Sequence, residues 1–160
     1  MWTVMPSPVG DLRIVEHADA ITAIEFTPFG AGPSGRPRGD RRDDHPLLVE
    51  AVAQLTAYFA RDRAEFDLPL SPAGTAFQCT VWDALRGIGY GETASYGEVA
   101  QRIGRTNAAS RAVGLANGQN PIPIVIPCHR VIGADGALTG YAGGLERKQL
   151  LLGLEQAALF

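Results

Sequence analysis

Residues 120–131 read Asn-Pro-Ile-Pro-Ile-Val-Ile-Pro-Cys-His-Arg-Val, and the change of character within this stretch decides how the chain is organised. Its first part is continuously apolar and suited only to a core. It then ends at a Pro-Cys-His-Arg corner, which brings the sulfur of Cys128 to the edge of that core beside an imidazole and a guanidinium. A free Cys has a pKa of about 8.5 and its thiolate is the nucleophile, so His129 and Arg130 are expected to raise the reactive fraction at neutral pH. An arbitrary Cys is more often a small buried hydrophobe. A core position, however, has no use for Pro on one side and His-Arg on the other.

Working outward, the flanks of this stretch are helical. Ser95-Tyr-Gly-Glu98 fits a capping box that starts a short helix over 96–103, and Gly104-Arg-Thr turns the chain. Asn107 can cap a second helix in which Ala109, Ala112, Val113 and Ala116 make a narrow apolar seam. Two short helices joined by a Gly-containing turn form a helix-turn-helix, a unit that docks on DNA. The outward positions of the second helix are mostly Ala, Ser, Asn and Gly, with Arg111 as its long cation. Its backbone can therefore approach phosphates closely while few side chains remain to read bases, so binding is expected to be largely sequence-independent.

Further upstream, Phe77, Val81, Ala84, Leu85 and Ile88 recur at helical spacing from a start near Thr75, with Trp82 and Cys79 as packing residues. Downstream, residues 133–136 turn, 138–144 form a flexible loop, and 145–159 read as an amphipathic helix with Leu150, Leu151 and Leu154 inward. Glu155 lies near that inward face, where an unpaired carboxylate is costly; it needs a partner, and His129 is the candidate.

The amino-terminal half reads differently. Residues 1–5, 10–16 and 20–27 are apolar or alternating stretches separated by Pro, Gly and Asp, a small antiparallel meander. Residues 28–44 are rich in Gly, Pro, Arg and Asp and read as an exposed, flexible loop. Residues 47–60 form a helix with Pro46 just inside its start and Leu48, Val52, Leu55 and Phe59 inward. A linker at 68–74 sets a boundary near Ala73. The fold class is α+β: a small antiparallel sheet with one helix over 1–73, then a mainly helical domain over 74–160 that contains the helix-turn-helix.

Composition bounds the function. With 46% hydrophobic and 19% charged residues in 160, the chain is an ordinary globular mix. No basic stretch leads into an apolar run at the start and no apolar segment approaches a membrane span, so a cytoplasmic location and no membrane partner are expected. Cys79 and Cys128 are the only cysteines, too few for a disulfide framework and not spaced to hold zinc. The net charge of −3 is unevenly spread: residues 1–74 carry seven Arg against eleven Asp and Glu, residues 75–160 seven Arg and Lys against six. Between Val99 and Ala134 stand Arg102, Arg105, Arg111 and Arg130 and no acidic residue, so a locally positive face is expected to attract phosphates.

The motifs Pro127-Cys-His-Arg-Val131, Ser110-Arg-Ala-Val-Gly114, Asn120-Pro, Ser95-Tyr96, Gly140-Tyr-x-Gly-Gly144 and Leu-Leu-x-x-Leu-Glu155 together resemble the O6-alkylguanine-DNA alkyltransferases, over about residues 74–158. The resemblance implies direct-reversal repair: O6-alkylguanine, mainly O6-methylguanine, is flipped out of duplex DNA and its alkyl group moves irreversibly to Cys128. Carried over by position, His129 deprotonates the thiol through an ordered water, Glu155 orients the imidazole, Asn120 holds the turn around the Cys, and Tyr96 donates to the departing guanine. Arg111 fills the gap in the stack. Ser95, Ser110, Ala112, Gly114, Arg130 and Val131 line the substrate and DNA side, and Tyr141, Ala142 and Gly143 form a pocket wall; Ala142 stands where some family members have Ser.

No cofactor is implied, since the methyl comes from DNA, and no metal, since the first half offers only His17 and His45 and no Cys. The protein is expected to be a monomer, with cooperative assembly along DNA left open. Three other readings are distinguishable: a non-repairing binder with Trp at the acceptor position, which Cys128 excludes unless the thiol is buried; a Cys-His hydrolase, which needs an oxyanion site; and a helix-turn-helix regulator, which needs base-reading side chains.

Overall fold

The computed structural model describes residues 1–29, 39–137, 141 and 143–157. The chain divides into two compact units, Met1–Ala73 and Gly74–Phe160. In the first, β1 (Trp2–Met5), β2 (Leu12–His17) and β3 (Ala20–Phe26) form an antiparallel sheet in that order. Leu12 and Ile14, alternate positions of the central strand and so on one face, are fully buried. Helix α1 (Pro46–Phe59) packs on β1 and β2. It starts where the His45 ring Nδ1 accepts the Leu47 N–H at 3.2 Å, and Pro46 stands at a position that needs no N–H.

The inward stripe of α1 differs from the expected one. Leu48 and Leu55 are buried, but Ala51, Gln54 and Tyr58 accompany them, and Val52 and Phe59 are half-buried. Both sets match helical spacing; the stripe is turned toward Gln54, whose amide donates to the Asp67 carbonyl at 3.0 Å and accepts the Asp67 N–H at 2.9 Å. Most of the expected loop at 28–44 falls on residues 30–38, outside the described residues. Its far end is held: Trp2 N–H donates to the Asp40 carbonyl at 3.1 Å and Arg42 N–H to the Trp2 carbonyl at 2.8 Å. The linker is likewise pinned where Ser71 N–H donates to the Ile21 carbonyl at 2.8 Å.

In the second unit, α2 (Ala76–Leu85) opens on a capping box of Thr75 and Gln78. It packs against α3 (Tyr96–Arg102) and α4 (Ser110–Gly118). Trp82 is a packing residue with its indole N–H donating to the Ala116 carbonyl at 2.8 Å. Ile88 is buried but lies beyond the end of α2. The Ser95–Glu98 capping box is formed as its spacing predicts. Between α3 and α4, Gly104 adopts φ +79°, which a Cβ disfavours, and residues Asn107–Ala109 make a 3-10 turn.

That turn displaces the expected cap: Ala109, not Asn107, precedes α4, and the Asn107 side chain accepts from Gln101 at 3.2 Å instead. The seam of α4 is Val113, Ala116 and Asn117, while Ala112 is exposed. A two-residue parallel pair, β4 (Ala94–Ser95) with β5 (Val131–Ile132), sets the start of α3 beside the strand that leaves the Cys128 corner. Finally, α5 (Leu145–Ala157) buries Leu151 and Leu154 as expected, but Leu150 faces out and Lys148 faces in with no exposed surface. No helix among the described residues is long and apolar enough to cross a membrane.

Candidate active site

The corner begins at Asn120, whose side chain folds the apolar stretch back on itself. Its Nδ2 donates to the Ile126 carbonyl at 2.8 Å and its Oδ1 accepts the Ile122 N–H at 3.0 Å, and all of residues 120–131 are buried. The chain then enters a single 3-10 turn, Cys128–Arg130, before β5. The Asn120 amide also favours the ionised form of the Cys128 thiol.

Cys128 is only 3% exposed. Burial pushes its pKa up to about 11, against the opposing pull of the Asn120 hydrogen bond and the Lys148 charge. The expected activation by flanking cations is therefore corrected: the thiol rests protonated. The physical reason is where those neighbours spend their charge. Arg130 is buried, with Nε on Glu155 Oε1 at 2.9 Å, Nη2 on Oε2 at 3.0 Å and Nη1 on the Ile88 carbonyl at 2.6 Å. His129 Nε2 lies 2.6 Å from Glu155 Oε2.

Burial alone would raise the Glu155 pKa, but hydrogen bonds from His129 and Arg130 and their charges hold it down at about 2. An ionised carboxylate only accepts, so His129 carries its proton on Nε2. Burial depresses the His129 pKa in spite of Glu155, so the ring is neutral and Nδ1 is a lone pair with no hydrogen-bond partner among the described residues. The arrangement is a neutral base, fixed in one tautomer by a carboxylate that is itself fixed by Arg130, next in sequence to a protonated thiol. Such a pair can move a proton when a reacting group arrives, without storing a thiolate beforehand.

Iodoacetamide at neutral pH is accordingly expected to modify the half-buried Cys79 of the folded protein well before Cys128, with Cys128 labelling rising only as pH climbs toward about 11. Comparable rates for the two peptides at neutral pH would contradict a thiol held protonated.

The remaining expected positions fall into four groups. Arg111 and Ala112 are exposed on α4, and Ser110 and Gly114 are half-buried there. Gly114 faces the Tyr96 ring, where a Cβ would meet ring carbons at 3.6 Å, an ordinary contact. Ser95 is spent on capping α3. Arg130 and Val131 are buried, so neither side chain presents to a duplex, and Arg130 leaves the expected positive face because its charge is committed to Glu155. Tyr141 is buried and Gly143 half-buried, its carbonyl accepting from Arg147 at 3.3 Å; Ala142 and Gly140 lie outside the described residues.

Three residues escaped the sequence reading. Lys148 is buried, its ammonium donating to the Val131 carbonyl at 2.5 Å, with its pKa depressed by burial and supported by Cys128. The signal was present, since Lys148, Leu151 and Glu155 share one helix face. Asn117 is 1% exposed and its Nδ2 donates to the Cys128 carbonyl at 3.3 Å. Leu115 is 66% exposed on α4, where small residues were expected.

In the first unit, Glu16, Asp19 and His45 bring ligand atoms within 4.8 Å of one another. His45 Nδ1 accepts the Leu47 N–H, which leaves the proton on Nε2, the nitrogen that faces Glu16 at 3.7 Å and Asp19 at 3.8 Å. A protonated ring nitrogen offers no lone pair to a cation.

Comparison with known proteins covers both units. The family model described as "6-O-methylguanine DNA methyltransferase, DNA binding domain" matches residues 76–157, and "6-O-methylguanine DNA methyltransferase, ribonuclease-like domain" matches residues 1–72. A methylated-DNA–protein-cysteine methyltransferase of Mycobacterium tuberculosis is 49% identical over 156 residues, 98% of this chain and 92% of its own length. One of Haemophilus influenzae is 46% identical over 156 residues, 97% of this chain and 86% of its own. The crystal structure of Mycobacterium tuberculosis OGT in complex with DNA superposes with a TM-score of 0.87 at 47% identity, covering 98% of this chain and 93% of that one.

Proposed function

The chain belongs to the 6-O-methylguanine DNA methyltransferase family, and from that premise we propose that it takes the alkyl group from O6-alkylguanine in duplex DNA onto Cys128, in one irreversible step. The observation that carries this reading is the neutral His129, locked by Glu155 and adjacent in sequence to a thiol kept protonated. A resting thiolate is not required where a neutral base can take the thiol proton during the transfer.

The chemistry follows from the leaving group. Displacement at a methyl carbon needs the sulfur in line behind that carbon, and a guanine anion leaves poorly unless its charge is neutralised. The S–H proton passes through an ordered water to His129 Nδ1 while the S–C bond forms and the C–O6 bond breaks. Tyr96, at the start of α3, gives its hydroxyl proton or a hydrogen bond to the base. In balance, the methyl ends on sulfur, guanine keeps the proton that neutralises it, and the proton taken up by His129 returns through water to Tyr96. The product is a thioether, which has no acyl carbon for water to attack, so the protein is consumed.

Reaching the base takes it out of the stack, at a cost of a few kcal/mol. Exposed Arg111 on α4 is the side chain suited to fill the gap, and the small, exposed Ala112 beside it lets the helix backbone approach the duplex. Arg102, Arg105 and Arg111, all exposed, supply the phosphate attraction. We take the protein to act as a monomer.

The test is stoichiometric. With excess duplex carrying O6-methylguanine labelled in its methyl group, transfer to protein is expected to plateau at one methyl per molecule. Continued turnover, or no transfer, overturns the reading.

A further inference from the structure

Leu115 stands 66% exposed on α4, the helix that also carries Arg111. A lone apolar side chain on a protein surface is ordinary, but the setting of this one is not. The outward stripe of α4 and its two ends runs Ala108, Arg111, Ala112, Leu115 and Gln119, at steps of three and four, and every member is exposed. No acidic residue lies between Val99 and Ala134, so the stripe has a cation to meet phosphate and no anion to repel it. The two alanines contribute only methyl groups, and Gln119 is engaged by Gln78, whose Nε2 donates to its Oε1. Arg111 and Leu115 are therefore the long side chains that this face holds out to a partner.

Four residues at a rise of about 1.5 Å put Leu115 about 6 Å along the helix from Arg111, and stacked bases lie about 3.4 Å apart. With Arg111 in the gap left by the everted nucleotide, Leu115 meets the duplex within about two base pairs of the lesion. Resting on the function proposed above, we propose that Leu115 is a specificity-determining residue that presses on the base edges beside the everted nucleotide and favours A·T over G·C pairs there. The preference has the same sign from either groove. In the major groove thymine offers a methyl group to an apolar tip, and in the minor groove a G·C pair presents the guanine 2-amino group, a donor that Leu115 cannot accept from. Covering that amine leaves it dry and unpaired, which is costly. Contacts to phosphate stay indifferent to sequence.

The experiment measures single-turnover methyl transfer, with duplex below saturation, from O6-methylguanine duplexes whose two flanking pairs on each side are A·T or G·C. Wild type is expected to favour A·T by about three- to tenfold, the range between one apolar methyl contact and one unpaired amine. Leu115→Ala is expected to bring the two rates within about twofold of each other, whereas Leu115→Met, which keeps the apolar reach, retains the preference. Replacing the flanking guanines by inosine removes the 2-amino group, and replacing the cytosines by 5-methylcytosine supplies the methyl. One of these replacements is expected to restore transfer by wild type to the A·T rate, which identifies the groove. In binding titrations Leu115→Ala is expected to weaken the complex without altering its salt dependence, while Arg102→Ala lowers the slope of log affinity against log salt by about 0.9.

A wild type indifferent to the flanking pairs overturns the assignment. So does a preference that persists in Leu115→Ala, which would make it a property of the duplex, or one that neither base replacement abolishes. Absence of transfer from every duplex would instead sink the alkyl transfer on which the assignment rests.

Discussion

Glu155→Ala is expected to destabilise the protein by about 3–5 kcal/mol, the usual consequence of stripping one partner from a buried charge network. The variant leaves Arg130 buried with the Ile88 carbonyl and the Tyr90 ring as its neighbours and removes the acceptor from His129 Nε2. The loss has a pH signature. Glu155 titrates at about 2 in the folded protein and near 4.3 when unfolded, so its contribution is fully present above the unfolded value and disappears as pH falls toward 2.

His129 adds to this from higher pH. Its folded pKa is depressed, so below about 6.5 the unfolded chain takes up a proton that the folded one refuses. Wild-type stability is therefore expected to decline on acidification, beginning near pH 6.5 and steepening below pH 4.3, and the steep part is expected to be missing from Glu155→Ala. Denaturant melts across that range measure both. A variant within about 1 kcal/mol of wild type, or one with the same acid profile, would mean that Glu155 does not hold the corner together.

Cys128→Ser addresses chemistry instead of stability. The residue is buried, its neighbours are set by Asn120 and Asn117 through main-chain carbonyls, and a hydroxyl replaces the thiol with little change of shape. The fold is expected to survive and methyl uptake to be abolished, because a serine hydroxyl beside a neutral imidazole is a far weaker nucleophile toward carbon.

Much of this architecture was legible in residue order. The three strands announce themselves by alternation between turn residues, and the Ser95–Glu98 box starts α3 where its spacing says. The site residues Cys128, His129 and Glu155 stand out because a Pro-Cys-His-Arg corner and an acid on an apolar helix face both conflict with plain packing. What failed to show has a common cause: tertiary partners decide it. Arg130 looks like a phosphate contact until Glu155 is beside it, and Lys148 looks like surface until its ammonium meets the Val131 carbonyl.

Asn107 looked like a cap because a 3-10 turn cannot be told from the first turn of a helix by composition. Likewise, the expected low pKa of Cys128 followed from its neighbours in sequence, whereas burial, which sequence does not report, dominates. Asn117 gave no signal at all; only the orphaned oxygen of its folded side chain marks it.

One sulfur is expected to accept one alkyl group from DNA. Wild type and Cys128→Ser are each incubated with duplex carrying O6-methylguanine, and the intact protein and its proteolytic peptides are weighed. Wild type is expected to gain one methyl in place of the thiol hydrogen, on the peptide containing Cys128, with guanine restored in the duplex and Cys128→Ser unchanged. A wild-type mass that does not move, or a methyl found on Cys79 or retained in the Ser variant, would contradict the account.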